Sequence, residues 1–492
     1  MNVASFFPSL TSHKSNFLDA IKLIKKDVGQ VLRFRFFRNL ILLSITLRFT
    51  FIFFFLPRTA SDFGPDEGTY ARLAEFVSQG LAVQEFPEYG PYLYNQSKSL
   101  IGPSSLLIRF GIEAIDSVRI ISALYGTLVP IIALLCFFTM NGNGISFFVS
   151  KSRSGKVAAR LLLVTLVLLP SNFLWASLGL RESASQFWLL TQSYFFIKLL
   201  QSKKEGVWVF AGLTVISTMF SFTSRPQSAL LMSSLMVLFG LSSLVKDRAI
   251  SVLLISVVSV IFGSLFSSTP SVKVSQNWSV YQVNKTDLSL SQKSSKQVHS
   301  EIRFQCSADN QKILQGNKLY LCKLEKKFVK DSPLPHLNLL PGTLNVATLE
   351  EKRNVNRVGA SSALAPSECS ANNNQIVPKL ICTFSEIPYR LSAFLVRPFL
   401  LIDSGSSFLL FAGLENVIWL LLISIALWIS SQSIIRRTFS YLTTFIAAYL
   451  ILFSVTASLY EGNMGTAFRH KSTILGFLFL LVSLQASKKR VL

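Results

Sequence analysis

Long apolar runs, broken by short polar stretches, dominate the chain from residue 39 onward. Ten of them, at about 39–57, 117–139, 157–178, 183–200, 207–223, 227–245, 249–267, 405–430, 438–459 and 471–487, come near the 20 or so mostly apolar residues that a helix needs to cross a bilayer. The fourth and fifth are short. The pattern predicts an all-α polytopic membrane protein of about ten transmembrane helices. It fails between 268 and 400, where the chain is polar, rich in Ser, Asn and Lys, and without clear periodicity. A small irregular loop domain is expected there. It separates a transmembrane core over 39–267, which includes a first long loop at 58–116, from C-terminal helices over 401–492. Residues 1–38 form a basic N-terminal segment.

Charge orients these runs. Only 15% of the 492 residues are charged, against about 25% in soluble domains. The excess of 48 Lys and Arg over 25 Asp and Glu gives a net charge of +23. That balance alone would fit a nucleic-acid partner, but no recognised binding motif accompanies it. Most of the basic residues lie in loops and tails beside the apolar runs instead. With the N-terminus in the cytoplasm, the basic N-terminal segment, 151–156 (KSRSGK), 201–206 (QSKKEG), 245–248 (VKDR), 432–438 (QSIIRRT) and the C-terminal SKKRVL all fall on the cytoplasmic side. That is the asymmetry of the positive-inside rule. Lys22, Lys25, Lys26 and Arg33 have the spacing to line one side of an amphipathic surface helix. No short apolar core with a small-residue cleavage site precedes the first run, so that run is expected to serve as an uncleaved signal.

This topology places 58–116 and 268–400 outside. The second segment carries Cys306, Cys322, Cys369 and Cys382. Four cysteines on an oxidising face are expected to form two disulfides, with three pairings open. Sequence neighbourhood favours Cys306–Cys322 and Cys369–Cys382. Zinc fits less well, because no close CxxC spacing occurs. Cys136 sits within an apolar run and reads as packing.

The same alternation gathers the unusual polar residues on the outer side. FGPDEGTYARLAEF (63–76) puts Asp66 and Glu67 just beyond the first run, with Asp62 before them as a loop or N-cap residue. Arg181 and Glu182 lie in the turn between the third and fourth runs, and Arg225 between the fifth and sixth. Tyr460, Glu461, Arg469, His470 and Lys471 lie at the mouth of the last run. A carboxylate can act as general base on an attacking hydroxyl or hold a divalent metal. Guanidinium groups match phosphate oxygens and stabilise charge growing on a leaving phosphate. The structural alternatives are helix capping for Arg181 and Glu182, interfacial anchoring for Arg225, snorkelling for Arg469 and Lys471, and a first-turn dipole role for the acidic pair.

At these residues the chain resembles the GT-C class of membrane glycosyltransferases, and is similar to bacterial protein mannosyltransferases and aminoarabinose lipid A transferases. Pro65, Asp66, Glu67, Tyr70 and Ala71 match the P-D-E-x-x-Y-A element of that class. Arg119, Ser122, Ala123, Leu124 and Gly126 match its R-x-x-S-A-L-x-G pattern. The Lys-Pro-Pro stretch of the class is absent, and Lys98 in NQSKSLIGPSS stands as its counterpart. The resemblance covers about 39–245 and 405–487. It implies an inverting transferase that moves a sugar from a polyprenyl-phosphate donor to a glycan, lipid or protein acceptor. The expected setting is the exoplasmic face of a bacterial cytoplasmic membrane. Asp66 would be the catalytic carboxylate and Glu67 the second choice, the pair also serving as ligands if a divalent metal (Mg or Mn) takes part. Arg181, Arg225, Arg469, Lys471 and Lys98 would hold the donor phosphate. Competing readings are a polymerase or ligase of lipid-linked oligosaccharides, a transporter of lipid-linked glycans, and a receptor built on the Cys-containing loop. A transporter would carry charges at mid-membrane depth and internal repeats. Here Arg48 is the main charge inside a run, and no repeat is present.

Overall fold

The computed structural model of the protein describes, in the main, residues 35–57, 65–83, 90–141, 163–202, 207–242, 255–263, 272–283, 318–330, 384–399, 407–435, 440–461 and 464–488, with shorter pieces at 22–32, 296–297 and 312–315. It falls into two compact units, Met1–Ser268 with Leu339–Leu492, and Thr269–Asn338.

The first unit is helical. Its elements are α1 (Arg35–Thr50, continued by a π turn over Phe51–Phe55), α2 (Pro65–Ser78), α3 (Gly90–Asn95), α4 (Lys98–Arg109), α5 (Ala114–Asn141), α6 (Pro170–Ser177), α7 (Glu182–Gln201), α8 (Val207–Ser224), α9 (Pro226–Ser242), α10 (Ile387–Val396), α11 (Ser407–Ile435), α12 (Tyr441–Tyr460) and α13 (Met464–Lys488). Among the described residues, six stretches are long and apolar enough to cross a membrane: Arg35–Phe55, Ala114–Met140, Val207–Ser224, Ala412–Ile435, Tyr441–Leu459 and Gly465–Leu484. The chain is therefore a multi-pass helical membrane protein. These six correspond to the first, second, fifth, eighth, ninth and tenth apolar runs.

The other runs depart from simple spans for local reasons. The third is interrupted at Leu169, whose backbone is extended (φ −58°, ψ 123°) ahead of Pro170. Proline has no N–H to donate and disfavours helix in the residue before it. The fourth is α7, 20 residues long, but Glu182, Gln186, Gln192 and Lys198 dilute its apolar character. Of these, Glu182, Gln186 and Gln192 are buried, so α7 packs within the bundle rather than against lipid. The sixth is an apolar helix over Pro226–Leu241, and the end of the run at 243–245 lies outside the described residues. The seventh is helical over 255–263 and otherwise lies outside the described residues.

Burial separates the centre from the rim. The apolar stretch of α13 is 89% buried, whereas that of α11 is 18% buried and studded with exposed Leu and Ile. α5 packs on α7 and α13, and α7 on α8. α5 and α6 approach closely at Gly126, where an added Cβ would collide with the Ala176 Cβ. Cys136 is a buried free thiol facing the Leu190 carbonyl, as packing would have it.

The loop domain expected over 268–400 differs in two ways. Thr269–Asn338 holds a four-stranded antiparallel sheet rather than irregular chain. Its strands are β1 (Val272–Val283), β2 (Lys296–Gln297), β3 (Lys312–Gln315) and β4 (Lys318–Lys330), in the order β2-β1-β4-β3. β1 and β4 pair from Val272↔Lys330 to Val283↔Leu319. Residues 387–396, also assigned to the loop, form α10, which packs on α12 and α13 in the helical unit. Cys306 and Cys369 lie outside the described residues, and Cys322 lies on β4. Cys382 is disulfide-bonded, and both expected pairings involve a cysteine outside the described residues.

Candidate functional site

Five helix termini converge. The starts of α2, α7 and α13 and the ends of α8 and α12 bring Asp66, Glu182, Arg469, Arg225 and Glu461 into one charged group. α2 begins at Pro65, whose fixed φ suits a first helical position. Asp66 and Glu67 follow in the first turn, favourable to the helix dipole.

The two carboxylates then part company. Asp66 stays half exposed, with 50% of its side chain accessible, and its Oδ2 accepts from Arg469 Nη1 at 2.9 Å. Glu67 is fully buried. Arg119 donates to both of its oxygens, Nε to Oε1 at 2.6 Å and Nη2 to Oε2 at 3.1 Å. Arg119 Nη1 also donates to the Pro57 carbonyl at 2.7 Å. Glu67 thus joins the exit of α1, the start of α2 and the start of α5. It shares no open surface with Asp66, so its expected roles as second catalytic carboxylate and as co-ligand of a metal do not fit this geometry. Among the described residues no group of three metal-ligating side chains comes together.

Behind Asp66 the charges alternate. Arg469 Nε lies 3.1 Å from Glu182 Oε1, at ion-pair distance but not aligned as a hydrogen bond. Arg225 donates from Nη1 to Thr473 Oγ1 at 3.3 Å and contacts His470 Nε2. His470 Nδ1 in turn meets the carboxylate of Glu461. Arg181 precedes α7 and makes no capping hydrogen bond. A cation at a helix N-terminus opposes the helix dipole, so capping does not account for it. Its Nη1 donates to Gln96 Oε1 at 2.9 Å. The turn that presents Arg181 depends on Gly179, at φ +63°, where a Cβ would meet Val118 Cγ2 at 2.9 Å and the Arg119 nitrogen at 3.3 Å.

These contacts set the protonation of the carboxylates. Burial is the largest influence on Asp66 and pushes its pKa up. The charge and hydrogen bond of Arg469, with the charge of Arg181, outweigh it and hold Asp66 below the ordinary carboxylate range. For Glu461 burial wins, only partly offset by Arg225 and Arg469, and the group is pushed up to about 8. Burial also raises the Tyr70 phenol, which sits in the field of Arg181, Asp66, Glu182 and Arg469. Three guanidinium groups, Arg181, Arg225 and Arg469, thus stand among the carboxylates of Asp66 and Glu182, beside the raised Glu461. The surplus positive charge suits a phosphate anion.

One expected phosphate ligand stands apart. Lys471 is fully buried, and its ammonium donates to the Leu395 carbonyl at 3.0 Å, the Arg397 carbonyl at 2.7 Å and Asn416 Oδ1 at 3.0 Å. All three of its hydrogens tie α10 and α11 to α13, which removes it from the phosphate-binding set. Lys98 opens α4, with its Nζ 5.6 Å from the centre of the Tyr94 ring. Asp62 lies outside the described residues. The pairing role of Arg119 and the contact made by Gln96 were not expected. The match of Arg119 to a family pattern was a signal for the first, and nothing in the sequence marked the second.

Comparison with known proteins adds no relative: no family model, curated protein or solved structure matches this chain.

Proposed function

We propose that the protein is a membrane glycosyltransferase that moves a sugar from a polyprenyl-phosphate donor to a glycan, lipid or protein acceptor. In this reading it acts at the exoplasmic face of a bacterial cytoplasmic membrane, with both termini cytoplasmic. The observation that carries the reading is Asp66, a half-exposed carboxylate held at 2.9 Å by an arginine that also contacts a second, buried carboxylate. An exposed ion pair of this kind contributes little stability, so its place at the lip of a buried charge cluster calls for another explanation.

The chemistry follows from the contacts. A donor phosphate entering beside Arg469 and Arg181 competes with Asp66 for their charge. As that pairing loosens, the proton affinity of Asp66 rises from its depressed value, which makes it a better base. The acceptor hydroxyl then attacks the anomeric carbon and passes its proton to Asp66. The bond from that carbon to the phosphate oxygen breaks, and polyprenyl phosphate departs with the electron pair. A single displacement inverts the anomeric centre. Arg469 and Arg181, with Arg225 behind, offset the charge that builds on the leaving phosphate. Glu182 holds Arg469 in place from the rear. No step is routed through a metal.

The test is incubation of purified protein with polyprenyl-phosphate sugars and short glycan or lipid acceptors, followed by mass spectrometry. Release of free polyprenyl phosphate with addition of one sugar supports the reading. Block-wise ladders from lipid-linked oligosaccharides would favour a polymerase or ligase instead. Absence of release from every monophosphate donor, in membranes and in detergent, would overturn the reading.

A further inference from the structure

The end of the bundle remote from the arginine cluster carries a second feature. α7 starts at Glu182 in the cluster, and 20 helical residues span about 30 Å, so Lys198 near its other terminus marks the far end. There the N-terminal segment is pinned. Asp27 Oδ2 lies 2.7 Å from Lys198 Nζ and accepts from the Tyr194 hydroxyl at 3.2 Å.

The described parts of 22–32 are helical. Ile24, Val28 and Val31 follow helical spacing and pack against the core, with Val31 fully buried. Lys22, Leu23, Lys25 and Leu32 are exposed in this segment, and Arg35, Phe36 and Arg38 are exposed at the start of α1. Arg160, from the chain beyond α5, stands 5.3 Å over the Phe36 ring and adds charge to the patch. Asp19 and Asp27 are the only acidic residues before Asp62, and Asp27 faces inward to Lys198. These exposed positions are thus basic with apolar side chains among the charges, and they lie before and at the start of the membrane-crossing stretch Arg35–Phe55. Basic residues beside shallow apolar ones suit the headgroup layer of an anionic bilayer.

We propose that residues 22–38 form a binding element for anionic phospholipid headgroups, latched to the bundle by the Asp27–Lys198 pair. The apolar side chains enter the headgroup boundary while Lys22, Lys25, Arg35, Arg38 and Arg160 meet lipid phosphates. The pair holds the helix flat at that level.

The full-length protein reconstituted in nanodiscs tests this, with amide hydrogen exchange read over 22–38. Discs of phosphatidylcholine alone are compared with discs that also contain phosphatidylglycerol. Exchange is expected to slow several-fold in the anionic discs, and high salt should abolish the difference in the unaltered protein because screening weakens headgroup attraction. The variant K22E/K25E/R35E/R38E should lose the lipid dependence. Asp27→Asn should exchange faster in both discs while keeping it. Equal exchange in the two discs, or a lipid dependence that survives high salt, would overturn the proposal.

Discussion

Arg119 grips both carboxylate oxygens of Glu67, at 2.6 and 3.1 Å, with neither side chain exposed to solvent. The pair fixes α2 against α5 and so sets where the adjacent Asp66 stands. Removing one partner of a buried pair leaves a charge without compensation and costs about 3–5 kcal/mol. Arg119→Leu and Glu67→Ala are therefore expected to unfold at markedly lower temperature in detergent. Arg119→Lys should recover little, because an ammonium cannot form the two-pronged contact. A Glu67→Ala protein as stable as the unaltered one would contradict the assignment.

Lys471 is assigned to assembly and not to donor binding. Lys471→Met strands three acceptors, and hydrogen bonds to a charged group contribute about 1.5–3 kcal/mol each. Its effect should appear as reduced thermal stability and yield. Among molecules that do fold, affinity for a polyprenyl-phosphate donor should stay near normal, while Arg469→Ala should weaken it strongly. Isothermal titration or competition binding separates the two effects.

Glu461 gives a pH signature. Its value is raised from an ordinary 4.5 to about 8 by burial, despite Arg225 and Arg469 nearby. Between those two pH values the folded protein keeps a proton that the unfolded chain has released. Stability therefore falls as pH rises through that window and levels off above about 8. Glu461→Gln should flatten that part of the curve when unfolding temperature is followed against pH. Asp66, held low, contributes in the opposite sense, with stability lost as acid protonates it below the ordinary carboxylate range.

Gly179 should tolerate no side chain. Its φ of +63° disfavours any Cβ, and the added atom would press on Val118 and the Arg119 nitrogen. Gly179→Ala is expected to cost about 1–2 kcal/mol from conformation alone. It should also displace Arg181, which would show as weakened donor binding beyond what the stability loss explains.

Much of this arrangement was legible from the order of apolar runs. If Asp66, Glu182, Arg225, Glu461 and Arg469 lie at alternating ends of successive helices, they must gather at one end of the bundle, and they do. Sequence could not separate neighbours within one helix. Successive residues point about 100° apart, so Asp66 reaches an open surface while Glu67 turns into the protein. Arg469 and Lys471, two positions apart, face nearly opposite sides for the same reason. Two of the three partners of Lys471, the Leu395 and Arg397 carbonyls, were hidden because they lie on and just beyond α10, in a stretch read as part of the loop domain. In β1 the alternation of Val272, Val274, Trp278 and Val280 was a strand signal. The Ser- and Lys-rich residues between those positions mask it.

The central claim is that Asp66 accepts the proton of an attacking hydroxyl. Asp66→Asn keeps the shape of the side chain, and loss of an exposed pair with Arg469 costs only about 0–1 kcal/mol, so the variant should fold normally. The direct measurement is the rate of polyprenyl phosphate release by both proteins, at matched amounts and equal thermal stability. A fall of about 10²–10⁴-fold in Asp66→Asn is the predicted result; undiminished release would contradict the account.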